Sequence, residues 1–163
     1  MSVVNTTRKG GEQKMGITVG YGGHDRSDFA AIGPDLRMSY SPSSLSMQNG
    51  YIEILGKTSY RDYFMNEGAH HSLIQNMLGV RLNPKLGSSI SPSFVVMAGV
   101  TYTPSKDRLR STAFIEEMGP ELKLPVSEHF SIDFGVYALW GQLSFPQDNV
   151  LGMSSLGGLT YGF

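Results

Sequence analysis

Apolar and polar residues alternate with a period of two along most of this chain, as they do in strands with one apolar face. Near its beginning Met15, Ile17, Val19 and Tyr21 share one face, and Gly16, Thr18 and Gly20 share the other. The turn-like GGHDRSD follows. A second strand then sets Ala30, Ile32, Pro34, Leu36, Met38 and Tyr40 against Gly33, Asp35, Arg37 and Ser39, until SPSSLSMQNG breaks it. Further strands are expected at residues 51–60, 71–82, 90–102, 111–124 and 130–141, with a last one from Leu151 to the end. Among these, Phe94, Val96, Ala98 and Val100 oppose Val95, Met97 and Gly99, and Phe130, Ile132, Phe134 and Val136 oppose Ser131, Asp133 and Gly135. No segment sustains a helical period.

About eight strands of roughly ten residues are long enough to cross a bilayer when tilted. In lipid an open sheet edge would leave backbone groups unsatisfied, so the strands must close. The expectation is all-β: a closed antiparallel up-and-down transmembrane β-barrel. It occupies residues 14–163 as one domain, behind a polar tail at residues 1–13.

Composition narrows this further. Charged residues are 17% of the 163, the net charge is -1, and no basic excess points to nucleic acid. Mean hydropathy is -0.14, which does not argue against a barrel, because lumen-facing and lipid-facing residues average out. The absence of Cys excludes disulfides and thiol chemistry. No metal-ligand spacing and no phosphate loop occurs, so neither a cofactor nor a metal is expected. The segment from Met1 to Gly16 has no apolar core of leader length, so the barrel reading expects a signal peptide to have been removed.

Two features separate this pattern from a soluble ligand-binding β-barrel, the bland alternative. Tyr21, Tyr40, Tyr60, Tyr102, Trp140, Tyr161 and Phe163 are expected near strand ends on the apolar face, as in the aromatic girdles of membrane interfaces. The opposite face is rich in Gly, Ser and Thr, which suits a narrow interior better than a solvated surface.

The chain also contains a repeat. Ile32-Gly33-Pro34-Asp35-Leu36-Arg37-Met38 matches Met118-Gly119-Pro120-Glu121-Leu122-Lys123-Leu124 class for class, and Ile52-Glu53-Ile54 matches Ile132-Asp133-Phe134 in the following strands. Copies four strands apart lie opposite each other in an eight-stranded barrel. By parity Asp35, Arg37 and Glu53 point inward towards Glu121, Lys123 and Asp133, and Lys57 and Arg81 point inward too. Buried charges persist when paired, so these eight are expected to form a salt-bridge network that plugs the lumen.

Gly119-Pro120-Glu121-Leu122-Lys123, leading through PVSEH into an aromatic strand, resembles the small outer-membrane barrels of the OmpX, Ail and opacity-protein type, and of the OmpA transmembrane domain. The ending LGGLTYGF is similar to the terminal signal by which such barrels are recognised for assembly, through Gly158, Tyr161 and Phe163, and departs from it at Leu156. The resemblance implies an integral outer-membrane protein with both termini periplasmic. Its partners would be outer-membrane lipid, lipopolysaccharide and the barrel-assembly machinery, and its role structural or interaction-mediating rather than catalytic.

An alternative function comes from His70-His71-Ser72, which is similar to the His-x-Ser motif of the outer-membrane lipid A deacylase. Here it is followed by Leu73 instead of Asn, and it is expected at the edge of an outer loop. That reading would make the protein a lipid A-modifying hydrolase. His24 is expected in an outer loop and His129 in an inner turn. The outer loops are expected at residues 22–28, 61–70, 103–107 and 144–150. Lys106, Arg108 and Arg110 cluster at one outer end as a candidate contact for lipopolysaccharide phosphates. On the apolar face, Gly56, Thr58 and Asn76 break the hydrocarbon character at a similar expected height. They suggest a lateral contact with a second copy or another envelope protein, unless a bulge turns Asn76 inward.

Overall fold

Every alternating segment becomes a strand hydrogen-bonded to its neighbours in sequence. The computed structural model describes residues 14–25, 29–65, 70–85, 90–103, 110–144 and 147–163; the expected tail at residues 1–13 lies outside them. The strands are β1 (Lys14–Asp25), β2 (Phe29–Ser41), a two-residue β3 (Ser46–Met47), β4 (Gly50–Met65), β5 (His70–Pro84), β6 (Ser91–Thr103), β7 (Arg110–Pro125), β8 (Phe130–Ser144) and β9 (Gln147–Gly162). β3 pairs only with the start of β4, after a short 3-10 turn at Ser43–Leu45. The other eight strands form the wall. β2 pairs with β4, and β1 pairs with both β2 and β9, which closes an antiparallel barrel.

The wall is staggered. Stepping across ladder partners from Met15 leads through Tyr40, Ile54, Val80, Val96, Met118, Ala138 and Met153, and arrives on β1 again at Asp25, ten residues further on. A stagger of this size with eight strands sets a strong tilt and an interior only wide enough for side chains.

Several strands run further than the alternation indicates. β1 continues to Asp25, so Gly22, Gly23 and His24 are ladder residues and Tyr21 lies well inside the strand. β4 continues through Arg61 to Met65, β5 already begins at His70, and β9 begins at Gln147. The expected loops at residues 22–28, 61–70 and 144–150 are therefore largely strand. The physical reason is that a ladder is held by backbone hydrogen bonds, which do not need the apolar alternation that marks the bilayer-facing part.

Inside and outside are inverted relative to a water-soluble protein. Leu78 is 73% exposed, Leu159 60% and Phe134 50%, all on the outer face, whereas Arg37, Arg61 and Arg81 are at most 1% exposed within. An apolar outer wall is unfavourable in water and favourable in hydrocarbon.

Candidate functional site

The lumen gathers charged side chains from strands far apart in sequence. β2 and β7, which carry the two copies of the repeat, stand four strands apart and face each other. Across the gap Arg37 Nη1 lies 2.5 Å from Glu121 Oε2. Tyr137 on β8 joins this pair: its hydroxyl donates to Glu121 at 2.6 Å and accepts from Arg37 Nη2 at 3.1 Å.

Arg81 on β5 is the hub of the terminus-side half. It pairs with Glu53 at 3.0 Å through Nη1 and, through Nη2, with Glu121 and with Asp133 at 3.5 Å. Asn83 supports Glu53 at 3.1 Å. Thr160 on β9 donates to Asp133 at 2.7 Å and shares a 2.5 Å hydrogen bond with Thr18 on β1. Every carboxylate in this cluster therefore has a cation and a further donor, the condition under which buried charge is tolerated.

Nearer the loop end two more pairs form. Arg61 holds both oxygens of Asp35 at 2.7 and 2.8 Å, and its other amino group donates to Gly33 O at 2.9 Å. A Cβ at Gly22 would run into this pair, so the glycine is what leaves room for it. Lys57 meets Glu117 at 2.7 Å, and Ser154 donates to the same carboxylate at 3.0 Å. Between the pairs the lumen is apolar, with Leu55, Met77, Val95, Met97, Ile115 and Leu139 in one cluster.

The repeat does not pair as a symmetric set. Both copies descend from the loop end towards the terminus end with the acid first. Once Arg37 meets Glu121, Asp35 is left two residues above that pair and Lys123 two residues below it. Asp35 turns to Arg61. Lys123 is half-buried and, among the described residues, makes no ion pair. It therefore stands outside the ion-pair set in which the repeat would have put it. Glu53 and Asp133, matched members of the two copies, both pair with Arg81 instead of with members of the opposite copy.

On the outer wall Asn76 is exposed and accepts a hydrogen bond from Thr58 at 3.0 Å. No bulge turns it inward: it is paired with Thr58 and Val100 in regular ladders. Towards the loop end Ser72 is a ladder partner of Asp62 within the sheet, not a loop residue. Its hydroxyl donates to Asp62 Oδ1 at 2.7 Å and accepts from Tyr60 at 2.8 Å. The side chains of His24, His70, His71 and Arg110 lie outside the described residues, as do Lys106 and Arg108 entirely. Among the described residues no group of three or more His, Asp or Glu side chains is arranged to hold a metal.

At the end where β1 starts and β9 stops, β9 completes the wall. Phe163 N donates to Met15 O at 2.9 Å and Gly162 N to His129 O at 2.8 Å. Tyr161 sits between Phe130 and Phe163, with ring centroids 5.0 and 4.9 Å away, and Gly158 faces Thr18 inside.

Solved structures share this architecture at low sequence identity. Neisserial surface protein A matches over 92% of this chain and 95% of its own, with a TM-score of 0.62 and 8% identity. Ail of Yersinia pestis matches over 93% and 100%, with a TM-score of 0.54 and 16% identity. The outer membrane enzyme PagL matches over 92% and 98%, with a TM-score of 0.56 and 15% identity. The fold is that of a small outer-membrane β-barrel. No family profile and no curated protein sequence matches the chain.

In this outer-membrane-type barrel, Arg61, Glu117 and Tyr137 carry as much of the lumen network as the residues the repeat points to. Glu117 has the same inward parity as Glu121 on β7, and Arg61 the same parity as Lys57 on β4. Parity extended by a few residues finds both. Tyr137 is legible as inward-facing, but its hydroxyl contacts depend on depth, which alternation does not encode.

Proposed function

We propose that this protein is integral to a bacterial outer membrane, and that it acts through its outer wall and rims with its lumen closed by the salt-bridge network. The observation that carries this reading is the inversion of polarity: an exposed apolar wall around an interior of fully buried, paired Arg, Lys, Asp and Glu. Such an interior suits neither a soluble core nor an open channel. Gly158, Tyr161 and Phe163 then act as the assembly signal for the barrel-assembly machinery. Lys106, Arg108 and Arg110 meet lipopolysaccharide phosphates at the loop end, and the role is structural or interaction-mediating without catalysis.

Reconstitution into planar bilayers tests the closed lumen. The folded protein, identified by its altered gel mobility before boiling, should give no stepwise current. Regular conductance steps would mean a water-filled path and would sink this reading.

A second reading, a lipid A-modifying hydrolase, is favoured by one observation: Ser72, two residues after His70, hydrogen-bonds an acid on the outer face. A serine nucleophile needs an imidazole to take its proton and an acid behind the imidazole. Here the Ser72 hydroxyl donates directly to Asp62, so we rank this second. Release of acyl chains from lipopolysaccharide by the wild type, lost in Ser72→Ala, would reverse the ranking.

A further inference from the structure

Glu116 is an acid on the wrong side of the wall. It has the outward parity of β7, between Phe114, 53% exposed, and Met118, with Ala98 and Trp140 as ladder partners. Among the described residues it has no hydrogen-bond or ion-pair partner, whereas its neighbour Glu117 points into the lumen. A carboxylate on a hydrocarbon-facing wall is costly unless something pairs with it.

Asn76 is a further polar residue on this wall. Its Oδ1 is taken by Thr58, which leaves the two amide N–H donors without an acceptor among the described residues. Asn76 lies on β5 and Glu116 on β7, one strand to either side of β6.

The stagger sets them at one depth. The ladder line through Asn76 crosses Val100 and reaches Phe114 on β7. That line climbs ten residues in eight strands, so over two strands it rises by roughly two and a half residues. Glu116 is two residues below Phe114, which brings it back to the depth of Asn76 within about half a residue. A two-fold axis along the membrane normal can join two residues reciprocally only when they share a depth.

We propose that this face binds a second copy of the chain about a two-fold axis over β6, with Asn76 of each copy donating to Glu116 of the other. The shape agrees with the chemistry. A convex wall recedes on both sides of the axis, so a small residue is wanted at the axis and long ones beside it. Ala98 is at the axis, with Asn76, Glu116 and Phe114 to the sides. A groove of about 460 Å³ runs from β2 to β6, its lining including Met38, Gly56, Asn76, Leu78 and Ala98. It lies on the β5 side, where the partner's β7 ridge arrives. Small residues that let two surfaces approach, with polar side chains bonding across, also join transmembrane helices in lipid.

The inference rests on the outer wall facing lipid, and the test separates the two. The full chain with Ala98→Cys is reconstituted in phospholipid vesicles and oxidised, with Val19→Cys on the opposite wall as control. The chain has no native Cys, so any disulfide dimer reports the engineered site. Ala98→Cys should cross-link and Val19→Cys should not. Because the contact is made twice, Asn76→Leu should weaken dimerisation of the otherwise wild-type chain roughly tenfold, measured by energy transfer at varied protein-to-lipid ratio. Glu116→Gln, which keeps the acceptor, should retain it.

Equal cross-linking at Ala98→Cys and Val19→Cys, or a wild type monomeric at all ratios, would overturn the proposal with the barrel reading intact. So would a groove occupied only by lipid or by another protein. Failure of the chain to insert, with gel mobility unchanged by boiling, would overturn the barrel reading and this inference with it.

Discussion

Arg37 and Glu121, separated by 84 positions in the chain, meet across the lumen at 2.5 Å. The basic residue belongs to one copy of an internal repeat and the acid to the other. Because both copies descend in the same direction, the complementary pair, Asp35 with Lys123, cannot form at the same time. Residues outside the repeat, Arg61 and Arg81, make up the balance.

The hub role of Arg81 predicts an ordering of stability losses. Arg81→Ala leaves Glu53, Glu121 and Asp133 short of a cation and should destabilise the barrel by about 3–5 kcal/mol. Lys123→Ala, which breaks no ion pair, should cost under about 1 kcal/mol. Denaturant unfolding of the folded protein in lipid checks both; equal losses would show that Lys123 is paired in the membrane.

Gly135→Ala tests how Tyr137 is held. A Cβ at residue 135 would overlap the Tyr137 phenol, so the ring must move and release Glu121 and Arg37. We expect a loss of about 2–3 kcal/mol. Gly135→Ala combined with Tyr137→Ala, which removes both the ring and its hydroxyl, should lose little more than Tyr137→Ala alone.

Gln75 gives the opposite sign. It is fully buried on β5, and among the described residues neither Nε2 nor Oε1 finds a partner. Gln75→Leu removes two orphaned polar atoms at similar volume and should raise stability by about 1 kcal/mol. The same unfolding measurement decides this.

Deleting Phe163 removes one backbone hydrogen bond to Met15 and an edge-on contact with Tyr161. The refolded barrel should lose only about 1–2 kcal/mol. Accumulation in the outer membrane of cells should fall far more than that loss accounts for, which would mark the residue as an assembly signal. Parallel declines would reduce it to a packing residue.

Alternation made the fold legible because the bilayer enforces it: outward positions such as Leu78, Phe94 and Phe134 must be apolar, and every second residue is then inward. The same rule carries Arg37, Lys57, Arg81 and Glu121 to the interior. Where the wall passes beyond hydrocarbon the rule lapses, and Arg61 and Asp62 at the far part of β4 fall in a segment that looks like a loop. Partner choice was not legible at all. Which cation meets which carboxylate depends on depth, and depth comes from the stagger accumulated over eight ladders, a quantity no single strand contains. The misfit of Asp35 and Lys123 has that origin.

The long separations within the lumen also constrain the order of events as the barrel forms. Arg37 and Glu121, Lys57 and Glu117, and Arg81 and Asp133 lie on strands that come together only when the sheet curls shut. Before β1 meets β9 these side chains are stranded ions on the concave side of an open sheet, and only water can solvate them. The last ladder to zip must therefore also be the step that expels water from the interior. Insertion, closure and dehydration become a single cooperative event, and a half-closed intermediate is a wet one.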